Sequence, residues 1–344
     1  MRTALFACGG TGGHVFPAVA IAEAIMNLDN TVKVIFVGRA APSMEEKLLS
    51  SKFDYRHIKA IPLKRNSIAK NLLLPFNLSS SVLGAAKLLK KEKPEYIVAT
   101  GGYVALPIML AAVLKRIPFY AVEPNAVMGV ANKICAKFAK KVYISSKVLG
   151  NPVRKMPENL PVPEIFADDK KFRILITGGS QGALGINKKI EQISKNLFGN
   201  ENLSIVWQAG AKHADALIEK YGNAGNVCIT AFLDNIYAYM RHADLIISRS
   251  GASTLAEILV FGKASILLPY PYATANHQEH NARAVEKEGA AYVELDREPN
   301  ALWEKIMNLS SDREKLGNMS KRAGELGELN RRAANDIARD ICSI

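Results

Sequence analysis

The sequence predicts an α/β protein built from two Rossmann-like domains that face each other across a cleft, and three observations support this. Short apolar runs alternate with longer helical patterns along the chain, as in βαβ units. Most of these runs are continuous stretches of Val, Ile and Leu, which is typical of parallel strands buried on both faces. The series also starts twice, each time with a strand followed by a glycine-rich loop.

The first series contains the strand candidates of an N-terminal domain. They are "TALFAC", "VKVIFVG", "EYIVAT" and "PFYAVE", at residues 3–8, 32–38, 95–100 and 118–123. After the first of them, "FPAVAIAEAIM" has the periodicity of a helix. Pro17 suits the start of that helix, because the first turn leaves its N–H groups without partners and proline has none.

A stretch rich in proline and polar residues, 149–171, is typical of an interdomain linker followed by a surface loop. The second series follows it. Its strand candidates lie at residues 172–179, 204–210, 226–232, 244–251, 265–270 and 290–295. We therefore expect domains over 1–152 and 153–344, with a last helix that could pack back on the N-terminal domain. Ligands of such sheets bind at the carboxyl ends of the strands.

Composition indicates a globular protein of 344 residues, 49% hydrophobic and 22% charged, which is long enough for two cores. Its four cysteines lie far apart without a CxxC pair, which argues against a disulfide framework or a zinc site. The N-terminus has no signal-peptide pattern, and the longest apolar stretch is shorter than the roughly 20 residues that span a bilayer. We expect a cytoplasmic protein without a metal or other cofactor.

The net charge of +13 favours an anionic partner. Nucleic acid is the weaker alternative, because no nucleic-acid-binding motif is present and the lysines are spread along the chain. Residues 63–93 combine Leu, Ile and Phe with seven basic residues, a pattern that suits an anionic membrane surface. The same pattern also fits an ordinary packed helix with solvated lysines.

The two glycine loops, "CGGTGGH" and "TGGSQGA", are not nucleotide fingerprints of the common kinds. Val15 stands where a dinucleotide-binding loop needs its third glycine, and Ser180 interrupts the second loop. Neither loop continues as a Walker A motif. What remains is a general mechanism, in which glycines let backbone amides and a helix N-terminus approach an anion. The alternative is a tight turn without a ligand.

Two later segments also carry candidate binding residues. Ser253 could cap a helix that places Glu257 one turn in, where a carboxylate is favoured and could bind the two hydroxyls of a ribose. Glu257 could instead be a simple capping partner. The loop "PYPYATANHQEHNA" carries His277 and Gln278, which are either sugar-reading residues or surface residues.

Seven segments in this order resemble the MurG family over nearly the whole chain. They are "GGTGGHVFPAVAIAEAI", "TGGYVALP", "EPNAVMGVANK", "GNPVR", "TGGSQGALGIN", "SRSGASTLAEI" and "PYPYATANHQEHNA". The resemblance implies a glycosyltransferase-B fold and a metal-independent, inverting enzyme. It also implies transfer of N-acetylglucosamine from UDP-N-acetylglucosamine to the 4-hydroxyl of undecaprenyl-diphosphate-linked muramyl-pentapeptide, at the cytoplasmic face of the membrane.

The family pattern assigns roles residue by residue. In the N-terminal half it assigns Thr11, Gly12, Gly13 and His14 to a phosphate loop, Asn125 to the E-Q-N-A segment, and Arg154 to the end of G-N-P-V-R. In the C-terminal half it assigns Ser180 and Gln181 to the donor diphosphate loop, Leu233 to the uracil, Ala252, Ser253, Thr254, Leu255, Ala256 and Glu257 to the nucleotide, and His277 and Gln278 to the donor sugar. The sequence departs from the family at Pro124, which replaces a glutamine, and in a shortened segment before Gly150.

The implied reaction needs a base for the attacking hydroxyl and positive charge or oriented amides for the leaving diphosphate. His14 is the predicted base because its pKa range suits the task, and Glu123 is the second candidate. Gly179, Ser180 and Arg154 are the predicted diphosphate contacts. His14 could instead bind the acceptor phosphate. A transferase for another lipid acceptor and a non-catalytic nucleotide-sugar-binding scaffold remain alternative functions.

Overall fold

The computed structural model describes residues 2–9, 12–39, 49–60, 74–125, 128–145, 150–179, 181–273 and 276–343. The chain divides into two compact units. Unit 1 comprises Met1–Arg154 and Leu329–Ile344, and unit 2 comprises Lys155–Glu328.

The sheet of unit 1 has six parallel strands in the order β3-β2-β1-β4-β5-β6. They are β1 (Thr3–Ala7), β2 (Lys33–Arg39), β3 (Asp54–Ile58), β4 (Tyr96–Ala99), β5 (Phe119–Glu123) and β6 (Lys141–Ile144). Ala7 at the end of β1 pairs with Ala99 at the end of β4. This register brings the loop after β1 beside the loop after β4.

Helices cover both faces of this sheet. They are α1 (Gly12–Leu28), α2 (Leu74–Glu92), α3 (Ala105–Lys115) and α4 (Val130–Cys135), followed by a 3-10 turn (Ala136–Phe138). One core cluster contains α1 together with Ala334, Ile337, Ala338 and Ile341 of the last helix. The other contains α2, α3 and α4. The end of the chain therefore completes the core of unit 1.

The sheet of unit 2 also has six parallel strands, in the order β12-β11-β10-β7-β8-β9. They are β7 (Phe172–Thr177), β8 (Leu203–Gln208), β9 (Val227–Thr230), β10 (Leu245–Ser248), β11 (Ala264–Leu267) and β12 (Ala291–Val293). The helices are α5 (Leu184–Gln192), α6 (Ser194–Leu197), α7 (Ala214–Tyr221), α8 (Ile236–His242), α9 (Ala252–Val260), α10 (His277–Lys287) and α11 (Leu302–Ser311), with a 3-10 turn at Glu164–Phe166 before β7. The last helix, α12 (Arg313–Cys342), begins in unit 2, and its residues from Leu329 onward belong to unit 1.

The predicted strand runs each overlap a strand of the structure, but β3 and β6 were not in the predicted series. Both lie at edges of the unit 1 sheet and pair with one neighbour each. β3 reads "DYRHI" and is mostly half-exposed or exposed. An edge strand needs no continuous apolar run, so the pattern that reveals central strands does not reveal it.

The placement of Pro17 at the start of α1 was wrong. The helix begins at Gly12, so Pro17 lies inside it, beyond the first turn. There it removes an intrahelical hydrogen bond that a non-proline residue would donate. No helix of the described chain is long and apolar enough to cross a membrane.

Candidate active site

His14 lies in the first turn of α1 and is held against the end of β4. Its Nδ1 lies 2.8 Å from the carbonyl oxygen of Thr100. A carbonyl only accepts, so Nδ1 carries the proton and the neutral ring has its lone pair on Nε2. The Thr100 hydroxyl donates in return to the carbonyl of His14 at 2.7 Å. The ring is therefore fixed in position and in tautomer.

Glycines after β4 make room for this arrangement. Gly101 and Gly102 have φ values of +97° and +83°, in the left-handed region that favours glycine. A Cβ on Gly102 would lie 2.2 Å from the carbonyl oxygen of Gly9 and 3.4 Å from Cδ2 of His14. A Cβ on Gly101 would lie 3.3 Å from Cε1 of His14. Gly101 and Gly102 thus let the loop after β4 approach Gly9 and His14 closely.

Glu123 ends β5 and is almost fully buried. Its carboxylate accepts hydrogen bonds from the backbone and side-chain nitrogens of Asn125, both at 3.0 Å. It also accepts from the Gly129 N–H at 2.8 Å and from Nδ2 of Asn132 at 3.0 Å. Four donors fix the segment after β5 and orient the Asn125 amide. This geometry suits a structural carboxylate better than a base.

Asn132, on α4, is a functional candidate that sequence reasoning missed. Its Nδ2 also donates to the carbonyl of Val122 at 3.1 Å, and it lies beside Gly101, where a Cβ would come within 3.2 Å. It therefore links the Glu123 network to the loop that supports His14. Its place in "EPNAVMGVANK" was the available signal.

Arg154 lies in unit 1, with its guanidinium 4.1 Å from the ring centroid of Phe16 on α1. Phe16 follows His14 by two residues, so this cation–π contact sets a positive charge near the first turn of α1. Gly12 and Gly13 are the first two residues of that helix. Thr11 lies outside the described residues.

In unit 2, two strand ends hold Gly179 of the second glycine loop. Thr177, Gln208 and Ser248 pair side by side as the last residues of β7, β8 and β10. The N–H of Gly179 donates to Oγ1 of Thr177 at 3.1 Å, and Nε2 of Gln208 donates to the carbonyl of Gly179 at 2.7 Å. The N–H of Gly179, a predicted diphosphate contact, thus has Thr177 as its acceptor in this structure.

The rest of this loop packs against the segment after β8. A Cβ on Gly182 would lie 2.2 Å from the carbonyl oxygen of Ala209, so the loop needs glycine there for close approach. Gly182 also donates its N–H to Gly179 at 3.0 Å. Gln181 is exposed. Ser180 lies outside the described residues.

The first turns of α9 carry the predicted nucleotide-binding residues. Ala252, Ser253 and Thr254 are half-buried, while Leu255 and Ala256 are buried. The predicted capping role of Ser253 was wrong, because Gly251 is the N-cap and Ser253 is the second residue of the helix. A backbone that is already extended at Gly251 starts the helix without a side-chain cap.

Glu257 is the sixth residue of α9 and is 8% exposed. The hydroxyl of Tyr237 on α8 donates to its Oε1 at 2.7 Å. Leu233, Tyr237 and Leu255 belong to one core cluster. The predicted uracil and ribose residues thus share one region of unit 2, and Tyr237 is a member of it that the sequence did not reveal.

Two hydrogen bonds of Gln278 and one of Asn281 hold Gln278 near the N-terminus of α9. Its Oε1 accepts the N–H of Tyr270 at 3.0 Å, and its carbonyl accepts the Ser250 hydroxyl at 2.8 Å. Asn281 donates to the carbonyl of Ser250 at 3.2 Å. A Cβ on Gly251 would lie 3.8 Å from Nε2 of Gln278. The structure therefore groups Gln278 with the Glu257 helix.

Two neighbours complete this edge of unit 2. His277 is the half-buried first residue of α10. Arg249, buried after β10, donates to the carbonyls of Leu268 and Pro269 at 2.9 and 3.0 Å and to Asp296 at 3.1 Å. Arg249 thereby fixes the segment that leads to Gln278. No group of three or more metal-ligating side chains occurs in the described part of the chain.

Comparison with known proteins identifies the family. Residues 4–144 match the model of the glycosyltransferase family 28 N-terminal domain, and residues 173–341 match that of the family 28 C-terminal domain. The chain belongs to glycosyltransferase family 28. The two matched segments fall largely in unit 1 and unit 2 respectively.

Individual relatives of the chain narrow the relationship. A protein from Caldicellulosiruptor saccharolyticus is 35% identical over 86% of this chain and 85% of its own length. Another, from Desulfitobacterium hafniense, is 35% identical over 88% of both chains. Both are named UDP-N-acetylglucosamine–N-acetylmuramyl-(pentapeptide) pyrophosphoryl-undecaprenol N-acetylglucosamine transferase.

The crystal structure of Acinetobacter baumannii MurG covers all of both chains with a TM-score of 0.78 and 27% identity. The predicted resemblance to the MurG family and the predicted glycosyltransferase-B fold are therefore confirmed. The chain is a glycosyltransferase.

Proposed function

We propose that this chain transfers N-acetylglucosamine from UDP-N-acetylglucosamine to the 4-hydroxyl of muramyl-pentapeptide on undecaprenyl diphosphate, with inversion at the anomeric carbon. The names of its relatives support the two substrates. The observation that carries the chemistry is the bond between Nδ1 of His14 and the Thr100 carbonyl.

That bond makes His14 suitable as the general base. With the proton on Nδ1, Nε2 is the nitrogen that accepts a proton from the attacking hydroxyl. The resulting imidazolium would still donate from Nδ1 to Thr100, which stabilises the charged form. Glu123 is the weaker candidate, because four donors already bind its carboxylate.

The donor is proposed to bind to unit 2 through the residues grouped at the start of α9. Glu257 would accept hydrogen bonds from the ribose, Leu233 would contact the uracil, and Gln278 would read the sugar. Ala252, Ser253, Thr254, Leu255 and Ala256 would line the nucleotide, with His277 beside Gln278.

The diphosphate of the donor would contact Ser180, Gln181 and the N-terminus of α5. Arg154, whose guanidinium lies over Phe16 in unit 1, stays a predicted diphosphate contact. The acceptor diphosphate would bind at the N-terminus of α1, through Thr11, Gly12 and Gly13, with Asn125 nearby. Helix N-termini with glycine-rich loops favour such anions.

A peripheral membrane contact through α2 is proposed for the lipid substrate. Phe76 and Leu83 are 77% and 65% exposed. Lys87 and Lys90 continue the same exposed stripe at helical spacing. An apolar stripe that ends in lysines suits an anionic bilayer surface. Residues 63–73 of the predicted segment lie outside the described residues.

Transfer of labelled N-acetylglucosamine to the lipid-linked acceptor, with EDTA present, tests the proposed reaction. We expect product from the unmodified chain and greatly reduced product from His14→Asn. Product formed only with a different lipid acceptor would instead identify the related transferase, and nucleotide binding without any transfer or donor hydrolysis would identify a scaffold. Loss of all transfer on adding EDTA would refute the metal-independent mechanism.

Vesicle binding tests the membrane contact. We expect the chain to bind phosphatidylglycerol vesicles and to dissociate as salt increases, because exposed charges are screened. The double variant Phe76→Ser, Leu83→Ser should bind more weakly, while Leu184→Ser, at an exposed position of unit 2, should bind normally. Equal binding to neutral vesicles at high salt would contradict the electrostatic part.

A further inference from the structure

Tyr237 is a buried tyrosine whose position does not depend on a ligand. It is the second residue of α8 and 9% exposed. Its ring packs against that of Phe261, with centroids 5.6 Å apart. Leu233 and Leu255 lie in the same core cluster. Packing therefore sets where the hydroxyl can reach.

That hydroxyl reaches Glu257. It donates to Oε1 at 2.7 Å, and the carboxylate is itself 8% exposed. A glutamate side chain has three rotatable bonds, and binding a ligand would otherwise have to order them. The Tyr237 bond orders the carboxylate in advance and directs its remaining acceptor capacity.

We propose that Tyr237 is a positioning residue that presents the Glu257 carboxylate to the ribose hydroxyls, and thereby sets a preference for ribonucleotides over 2′-deoxyribonucleotides. This inference rests on the donor site proposed above. Tyr237 does not contact the nucleotide; it acts through Glu257.

The preference follows from the number of hydrogen-bond donors that each sugar offers to the carboxylate. A ribose offers two neighbouring hydroxyl donors, and a carboxylate can accept both. A deoxyribose lacks one of these hydroxyls and leaves part of the buried carboxylate without a hydrogen-bond donor. Sites with such a buried acceptor discriminate strongly against analogues that lack the donor. A carboxylate that can rotate away loses less when the hydroxyl is missing. Loss of the Tyr237 hydroxyl should therefore weaken the discrimination.

Calorimetric binding of UDP and 2′-deoxy-UDP to the full chain tests this. The Tyr237→Phe variant removes only the hydroxyl. We expect its affinity for UDP to fall roughly three- to tenfold, while its affinity for 2′-deoxy-UDP changes much less. Tyr239→Phe is the matched control: it lies on the same helix, and its ring packs edge-on against Phe166 with centroids 6.1 Å apart. The control should keep the preference of the unmodified chain.

A second comparison separates positioning from packing. In a Glu257→Ala background, Tyr237→Phe should no longer change the preference, because the group through which it acts is gone. Equal weakening of both nucleotides by Tyr237→Phe, or an unchanged preference, would overturn the inference while leaving the proposed reaction intact. An unmodified chain that binds no UDP would instead refute the donor site, and the inference with it.

Discussion

Replacing Gly102 with alanine should destabilise unit 1 by more than a left-handed backbone alone explains. Gly102 has φ +83°, and its Cβ would lie 2.2 Å from the carbonyl oxygen of Gly9. The left-handed conformation costs an L-residue about 1–2 kcal/mol. The overlap lies far inside the roughly 3.5 Å at which such atoms normally meet, so the backbone must move, which adds about 1–3 kcal/mol.

Gly199→Ala is the matched control. Gly199 has φ +82°, but nothing lies within 4 Å of its Cβ position. The free energy of unfolding of Gly199→Ala should therefore fall only by the cost of the left-handed backbone. About 0.4–1 kcal/mol of that loss is offset because the unfolded chain becomes stiffer. The loss of stability in Gly102→Ala should exceed the loss in Gly199→Ala by about 1–3 kcal/mol, which is the cost of the overlap.

Hydrogen exchange in increasing urea, resolved by peptide, measures each unit separately. Gly102→Ala should weaken the protection of backbone amides across β1 and β4. Its rate of N-acetylglucosamine transfer should also fall, because Gly9 lies between β1 and the helix that carries His14. A loss of stability in unit 1 no larger than that of Gly199→Ala in unit 2 would refute the close-approach argument.

Three further changes test the site and its surroundings. His14→Asn should lower kcat about 10²–10⁴-fold and remove the acidic limb of the kcat/KM–pH profile, with UDP affinity kept; a raised acceptor KM with kcat retained would make His14 a phosphate ligand instead. Thr177→Val, which cannot accept the Gly179 N–H, should weaken UDP binding roughly three- to tenfold in calorimetry, whereas Thr177→Ser should restore it; equal behaviour of the two would contradict the role of that bond. Burial lowers the pKa of Lys263 to about 8, so the unfolded chain binds more protons between that value and the ordinary lysine range, and stability should rise with pH there. Lys263→Met should consequently be more stable than the unmodified chain in urea at neutral pH, with a difference that shrinks as pH rises above 8; a difference independent of pH would contradict this.

The central strands could be read from the sequence because a strand buried on both faces must be apolar throughout. The runs "TALFAC" and "FRILITGG" show this directly. The edge strands β3 and β6 escaped for the same reason, since one exposed edge permits polar residues. The second glycine loop could also be predicted, because Gly179 and Gly182 adopt positive φ values that favour glycine. The groups that the glycine loops approach in space could not be predicted from the sequence.

The sequence by itself determined the two parallel α/β halves, the family and the short segments that carry the candidate residues. Only the tertiary structure decided how those residues are held. The bond from His14 to Thr100 spans 86 positions, and the one from Tyr237 to Glu257 joins two helices. Local patterns record which face of an element is buried, whereas a hydrogen bond between distant segments depends on strand order and register, which bring Ala7 beside Ala99 and Thr177 between Gln208 and Ser248. The tautomer of His14 and the hydrogen bonds of Gly179 to Thr177 and Gln208 follow from that register.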